Sequence, residues 1–395
     1  MKKLFLLLIS MAFFYGAKAQ DLKSEVSIDA SPLNAYYENS NLPAALMGYS
    51  EGGKMHWYAY GPSVWGEKDT VSEDHIFRIF SMTKVIATVA ALQLVEQDLI
   101  DLDDPLDELM PEMTTIPILT QEGKLIKATK SITLRHLLTH TAGFGYDFMD
   151  YQLQAFDKTD WNYEDLPRLF EAGEQWNYGT SMDWVGKIVE KISGENLETY
   201  LRKNVTGPLN MNSTWFNLPE NLKERVVSWG TRNSDKFQEY PRIPTTVTEY
   251  NAGGGLYGSP KDYLTFLQCL VNNGKYDGGQ LLKPETVEMM FKNQLPEGMT
   301  LNFGIHEMGL ISTMGKFPDQ ADVHSFGFAL EANKDEMTRT NGAGYWAGIA
   351  NSYYTIDKEK DLMIVYFTQF LPFNDEVSHD FYRLFEKQVY SSFRD

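Results

Sequence analysis

Apolar side chains run almost all the way round the stretch Val85-Ile86-Ala87-Thr88-Val89-Ala90-Ala91-Leu92-Gln93-Leu94-Val95-Glu96, which has no Gly or Pro and many Ala and Leu. That pattern predicts a helix enclosed in a large core, not one lying on a surface. Upstream, Ala44 to Tyr49 and Met55 to Tyr60 flank Ser50-Glu51-Gly52-Gly53-Lys54, which predicts a β-hairpin with a glycine turn. Asp101 to Leu106 is a polar turn marked by Pro105. Thr133 caps a short helix closed by a loop at Gly143. Met182, Val185, Ile188, Val189 and Ile192 form the stripe of a further helix, stopped by Gly194. Ser259-Pro260 begins a helix over 261–272 that ends at Gly274, and Pro284 begins another through Met290. Ala350 to Ile356 and Leu362 to Thr368 read as a second hairpin, followed by a last helix with Val377, Phe381, Leu384, Phe385 and Val389 on one face. Strands at both ends with helices between them predict an α+β fold, an α/β sandwich. Its antiparallel sheet is built from both termini, flanked by helices, and carries an inserted mainly helical part.

Length and composition add boundaries to that picture. A chain of 395 residues with 43% hydrophobic content buries one large core or two smaller ones. Met1-Lys2-Lys3 precedes an apolar run from Leu4 to Phe14, and Ala17-Lys18-Ala19 follows. This reads as a signal peptide over 1–19, cut after Ala19 and directing the protein to the periplasm or out of the cell. The run is too short to span a membrane. Residues 20–395 are then one catalytic domain, with its α/β part over about 20–80 and 250–395 and its helical part over about 81–249. A net charge of -19 argues against nucleic acid and anionic membranes as partners. Cys269, the only cysteine, sits in an apolar helical run as a buried small hydrophobe. The seven histidines show no metal-binding spacing, so no metal or cofactor is expected.

Chemistry enters at the start of the apolar helix. Ser81 and Lys84 are three apart, which brings a hydroxyl and an amine together on one helical face. Lys84 is the only cation facing the core. Desolvation disfavours a charged lysine, so it can accept the serine's proton, and a helix N-terminus suits an oxyanion forming on an attacked carbonyl. Taken alone, Ser-X-X-Lys reads more readily as an N-cap serine and a lysine snorkelling to the surface. His140 is read as structural, its imidazole bonded to neighbouring backbone. Tyr178 lies in the loop before the Met182 helix, where it can enter a cleft. The glycine-rich turn from Tyr250 to Gly258 lacks the Gly-Lys-Ser/Thr ending of a phosphate loop.

Six segments together resemble the serine hydrolase family of class C β-lactamases, penicillin-recognising D-Ala carboxypeptidases and related esterases. They are Phe77 to Lys84, Leu102-Asp103-Asp104-Pro105, Leu137 to Gly143, Trp176-Asn177-Tyr178, Gly253-Gly254-Gly255-Leu256 and Trp346-Ala347-Gly348. The resemblance covers about Pro43 to Phe370 and implies a β-lactamase/transpeptidase-like fold. It implies Ser81 as nucleophile, with Lys84 and Tyr178 passing a proton between them. It also implies an oxyanion hole made by the backbone N–H groups of Ser81 and Ile349.

Two departures narrow the expected function. The tyrosine motif of the β-lactamases has an Asn two residues on, where this chain has Thr180. Their Lys-Thr-Gly, whose cation receives a substrate carboxylate, is here Trp346-Ala347-Gly348. A Trp-X-Gly order, with Thr368-Gln369 after it, resembles the family's carboxylesterases. The sequence therefore predicts an exported serine hydrolase cleaving a small ester through an acyl-enzyme, with Thr180, Trp346, Ala347 and Gly348 at the substrate. The rival is a peptidase or amidase acting on cell-wall D-amino-acid peptides or β-lactams, for which Arg339 would have to supply the missing charge. A third reading is a non-catalytic sensing or binding module on the same fold.

Overall fold

The computed structural model describes residues 28–393 apart from 235, 302–309, 312–316, 318–320 and 333–337. The expected signal peptide lies outside the described residues. After a short helix, α1 (Ser31–Asn39), the predicted hairpin forms as β1 (Ala45–Glu51) and β2 (Lys54–Tyr60), with Glu51 opposite Lys54. Gly52 and Gly53 both have positive φ, 53° and 82°, the two-residue turn whose twist matches its strands.

The enclosed helix is α2 (Thr83–Glu96), buried continuously from Thr83 to Leu94. Thr133 caps α3 (Leu134–Leu138) through the N–H of His136, and Gly194 in the left-handed region ends α4 (Ser181–Ser193). Ser259 caps α5 (Pro260–Val271). The chain then returns to the sheet through β3 (Val323–His324), β4 (Ala329–Leu330), β5 (Gly344–Gly348), β6 (Ser352–Asp357) and β7 (Leu362–Phe367), and closes with α6 (Glu376–Ser391). The sheet order is β3-β4-β5-β6-β7-β1-β2, antiparallel throughout. The α+β class and the sheet built from both ends of the chain are thus present.

Strands β5, β6 and β7 are buried along their whole length because helices cover both faces of the sheet. Successive residues of one strand identify the two layers. Tyr49 of β1 packs on Phe385 of α6, whereas its neighbour Ser50 donates a hydrogen bond to Gln268 of α5 at 3.0 Å. On β7, Tyr366 meets Phe381 of α6 and Phe367 meets Tyr263 of α5. The α5 layer joins the sheet to α2 through the hydrogen bond from Tyr263 Oη to Met82 O, 3.1 Å.

Three features differ from the sequence expectation. Helix α1 forms where none was foreseen and stacks Tyr36 on Phe381 at 4.9 Å. A small second sheet joins Phe370–Leu371 to Gly230–Asn233 and Lys236–Glu239. Strand β6 starts at Ser352, not at Ala350, because Asn351 turns the chain with φ 58°.

Candidate active site

A single turn of 3-10 helix, Phe80–Met82, leads into α2 and carries Ser81. Ser81 therefore precedes the α-helix and does not cap it; the capping position is Met82, whose side chain caps nothing. Phe80 has φ 45°, a left-handed backbone that a bulky residue rarely adopts. Such strain persists only where surrounding structure enforces it. Here the β5 strand does so. A Cβ on Gly348 would meet Ile79 O at 2.7 Å, so only a glycine lets the strand lie this close to the turn.

Lys84 is 2% exposed, and its Nζ donates to Ser81 Oγ at 3.1 Å, Tyr146 Oη at 3.0 Å and Gly253 O at 2.6 Å. The snorkelling alternative is thereby excluded. Lys84 is hydrogen-bonded to Tyr146, and Tyr178 also stands beside it with its ring centroid 4.7 Å from Nζ. Tyr178 Oη accepts a hydrogen bond from Trp346 Nε1 at 3.2 Å, and the two rings lie 5.2 Å apart. The sequence reading placed Lys84 and Tyr178 together but did not foresee Tyr146, whose ring meets that of Tyr178 edge-on at 5.3 Å. The hydroxyl of Tyr146 is held well above its usual titration range by burial and by neighbouring Tyr178 and Asp183, so it stays a neutral phenol.

The glycine-rich turn has a definite task. The N–H of Gly253 donates to Asp183 Oδ1 at 3.2 Å while its carbonyl accepts from Lys84, so one residue, through two successive peptide groups, links the carboxyl to Lys84 Nζ. A Cβ at 253 would meet Asp183 Oδ2 at 2.8 Å. Burial raises Asp183 to a pKa of about 6, against the pull of Lys84. Asp183 was also missed from sequence, standing as it does in the first turn of α4 but off the helix's apolar stripe.

Ser81, Tyr146, Tyr178, Trp346, Ala347 and Ile349 line one cavity of about 410 Å3. Phe80, Phe148, Trp229, Phe317 and Phe373 add aromatic walls. The two residues expected to supply the oxyanion N–H groups, Ser81 and Ile349, thus face the same space. Thr180 and Gly348, expected at the substrate, are not on the wall; Thr180 is 1% exposed and Gly348 is occupied by its approach to Ile79. Gln369 clamps the strand before the nucleophile, its Oε1 accepting from Arg78 N at 3.1 Å and its Nε2 donating to Arg78 O at 3.0 Å.

Arg339 does not reach the cavity. Its guanidinium is buried against α6, with Nε on Glu386 Oε1 at 2.7 Å and Nη2 on Tyr382 Oη at 2.9 Å. The missing third-motif charge is not replaced from there. His140 is buried, but its Nδ1 has no hydrogen-bond partner, contrary to the expected backbone bond. Its ring packs instead on Tyr178 at 4.8 Å and His324 at 5.5 Å, and burial depresses its basicity strongly. Cys269 is buried in α5 with its thiol pushed up to about 12, as suits an inert core residue.

Comparisons with known proteins identify relatives of the chain. The monacolin J acid methylbutanoyltransferase of Aspergillus terreus (strain NIH 2624 / FGSC A1156) is 31% identical over 344 residues, covering 80% of this chain and 82% of that protein. The lovastatin esterase of Penicillium rubens (strain ATCC 28089 / DSM 1075 / NRRL 1951 / Wisconsin 54-1255) is 28% identical over 361 residues, covering 83% and 88%. Among solved structures, a mutant simvastatin synthase from Aspergillus terreus superposes with a TM-score of 0.79 at 28% identity, over 92% of this chain and 94% of that one. The family model described as Beta-lactamase matches residues 33–388. With nine-tenths of its length matched, and with Ser81 on the wall of the cavity hydrogen-bonded to the buried Lys84 behind it, the chain belongs to the Beta-lactamase family.

Proposed function

We propose that the protein is an exported serine esterase that cleaves a small ester through an acyl-enzyme. The observation that carries this reading is the hydrogen bond between Lys84 Nζ and Ser81 Oγ at 3.1 Å, beside a cavity walled mainly by aromatic and aliphatic side chains. Ser81 Oγ attacks the ester carbonyl as its proton passes to Lys84. The oxyanion is stabilised by the N–H groups of Ser81 and Ile349. Collapse breaks the bond to the leaving alcohol, which takes a proton from Lys84 or Tyr178, and leaves the acyl group on Ser81. Water, deprotonated through the same groups, then releases the acid. Trp346, in place of a third-motif lysine, and the remote burial of Arg339 both favour an ester over a D-amino-acid peptide.

Acyl transfer is the second reading, favoured by the relatives named as acyltransferases and by the apolar cavity, which would suit an alcohol acceptor better than bulk water. The two share every step up to the acyl-enzyme and differ in what attacks it.

The test is turnover of p-nitrophenyl butyrate and of nitrocefin by wild type and Ser81→Ala, with 1-butanol added to half of the reactions. Ester cleavage lost in Ser81→Ala, with little nitrocefin turnover, is the expected result. Butyl butyrate as the main product would mean transfer. Rapid nitrocefin cleavage would overturn the ester preference, and ester turnover surviving in Ser81→Ala would overturn the mechanism. Export is tested by N-terminal sequencing of the mature protein, which should begin at Gln20.

A further inference from the structure

Arg78 is the only charged residue on the wall of the Ser81 cavity among the described residues. Its guanidinium rests on two aromatic faces, 4.4 Å from the Phe80 centroid and 5.4 Å from that of Trp229. The other eight described arginines each donate to a carboxylate, hydroxyl or carbonyl oxygen. Among the described residues, the Arg78 guanidinium donates to none. Its main-chain N–H and C=O are both held by Gln369, so the residue is fixed at its base while its head is uncommitted.

Ring faces satisfy the charge of a guanidinium but not its five N–H donors. Those donors form a planar fork that matches a carboxylate, and bonds of this kind are about twice as strong as neutral ones. The placement is unusual for this chain. With a net charge of -19 the molecule as a whole repels anions, yet the charged side chain on the described wall of this cavity is a cation.

We propose that Arg78 seats a carboxylate carried by the substrate, so that the natural ester is an acidic one. The inference rests on the reading of Ser81 as the nucleophile and adds the substrate's chemical class. Phe80 and Trp229 hold the guanidinium in place, and the carboxylate displaces water from its fork when the ester enters. The carboxylate is in this way held from the strand immediately before the nucleophile and not from the third motif, whose charge stays absent.

The test uses two matched ester pairs. Mono-p-nitrophenyl adipate and its methyl ester place the carboxylate, or its neutral counterpart, on the acyl side. The butyrates of 4-hydroxybenzoic acid and of methyl 4-hydroxybenzoate place it on the leaving side. The readout is the ratio of kcat/KM for acid over neutral ester in wild type, Arg78→Gln and Arg78→Lys. A ratio of about ten or more in one pair is expected, since a charge-assisted hydrogen bond contributes that much. It should fall towards one in Arg78→Gln, be partly kept in Arg78→Lys, and decline in wild type as sodium chloride is raised. A wild-type ratio near or below one in both pairs would overturn the proposal, as would a ratio unaffected by Arg78→Gln. Should that variant fail to fold, the salt dependence of the wild-type ratio decides. Turnover surviving Ser81→Ala would instead indict the nucleophile, whereas turnover lost there without acid preference would sink this proposal alone.

Discussion

Lys84 Nζ has three oxygen neighbours within hydrogen-bond distance, which leaves its head no freedom to drift from Ser81. Tyr146 provides one of them, and its phenylalanine variant would leave the cation that forms when Lys84 takes the serine's proton one acceptor short. Tyr146→Phe is expected to lower kcat for p-nitrophenyl butyrate by about ten- to a hundredfold, the worth of a hydrogen bond to a charged group. Its KM should change little, because the ring that lines the cavity is kept. Steady-state kinetics with unchanged kcat would mean that Tyr146 merely packs. Ser81 and Lys84 were legible because a spacing of three is a local, helical fact. Tyr146 was not. It lies beyond Gly143 in a stretch without periodicity, and tertiary contacts place it: Asn177 Nδ2 donates to Phe144 O at 3.2 Å, and the absence of a Cβ on Gly179 admits that same carbonyl. Asp183 was hidden for another reason, since an acidic residue off the apolar stripe of a helix reads as solvated until its neighbours are known.

Among the elements, α6 shows how an ion pair can fix a layer. Glu386 is fully buried, accepts from Arg339 and from Thr355 Oγ1 at 2.6 Å, and also binds Arg383. Coulombic attraction to Arg339 and Arg383 outweighs the penalty of burial and keeps it ionised, with a pKa of about 2. Glu386→Ala would take the nearer carboxylate from the guanidinium of Arg339, itself only 6% exposed, and leave it Glu331 Oε2 at 3.5 Å and Tyr382 Oη at 2.9 Å. A loss of about 3 to 5 kcal/mol in urea unfolding is expected, against less for Glu386→Gln. Equal stability of the alanine variant and wild type would show that the pair contributes nothing. The helices and long strands were readable because their apolar spacing matches 3.6 or 2 residues. Strands β3 and β4 have two residues each, and no periodicity can be expressed in so short a length. Arg339, a few residues before Trp346 in sequence, was a plausible cleft residue until the sheet was seen to turn it towards α6.

For the molecule as a whole, buried titratable groups set how stability varies with pH. Burial depresses His324 to a pKa of about 3, from an ordinary 6.5. Between those values the unfolded chain binds a proton that the folded one refuses. His324 therefore costs nothing above pH 6.5, and stability drains away at up to about 1.4 kcal/mol per unit as pH falls below it. Asp183 acts in the other direction: its raised pKa of about 6 favours folding at low pH, an advantage lost as pH rises from 3.8 through 6. His324→Gln should shrink the drop in urea midpoint between pH 7 and pH 5. An unchanged drop would place the titration elsewhere. Phe80 carries one last consequence. Its left-handed backbone aims Ser81, and its ring is the closer of the two platforms under Arg78. Reactivity and selectivity are therefore not independent variables at this position. A mutant library meant to redirect the enzyme towards other esters should keep residue 80 constant and vary Trp229, where the same cation can be loosened without disturbing the nucleophile.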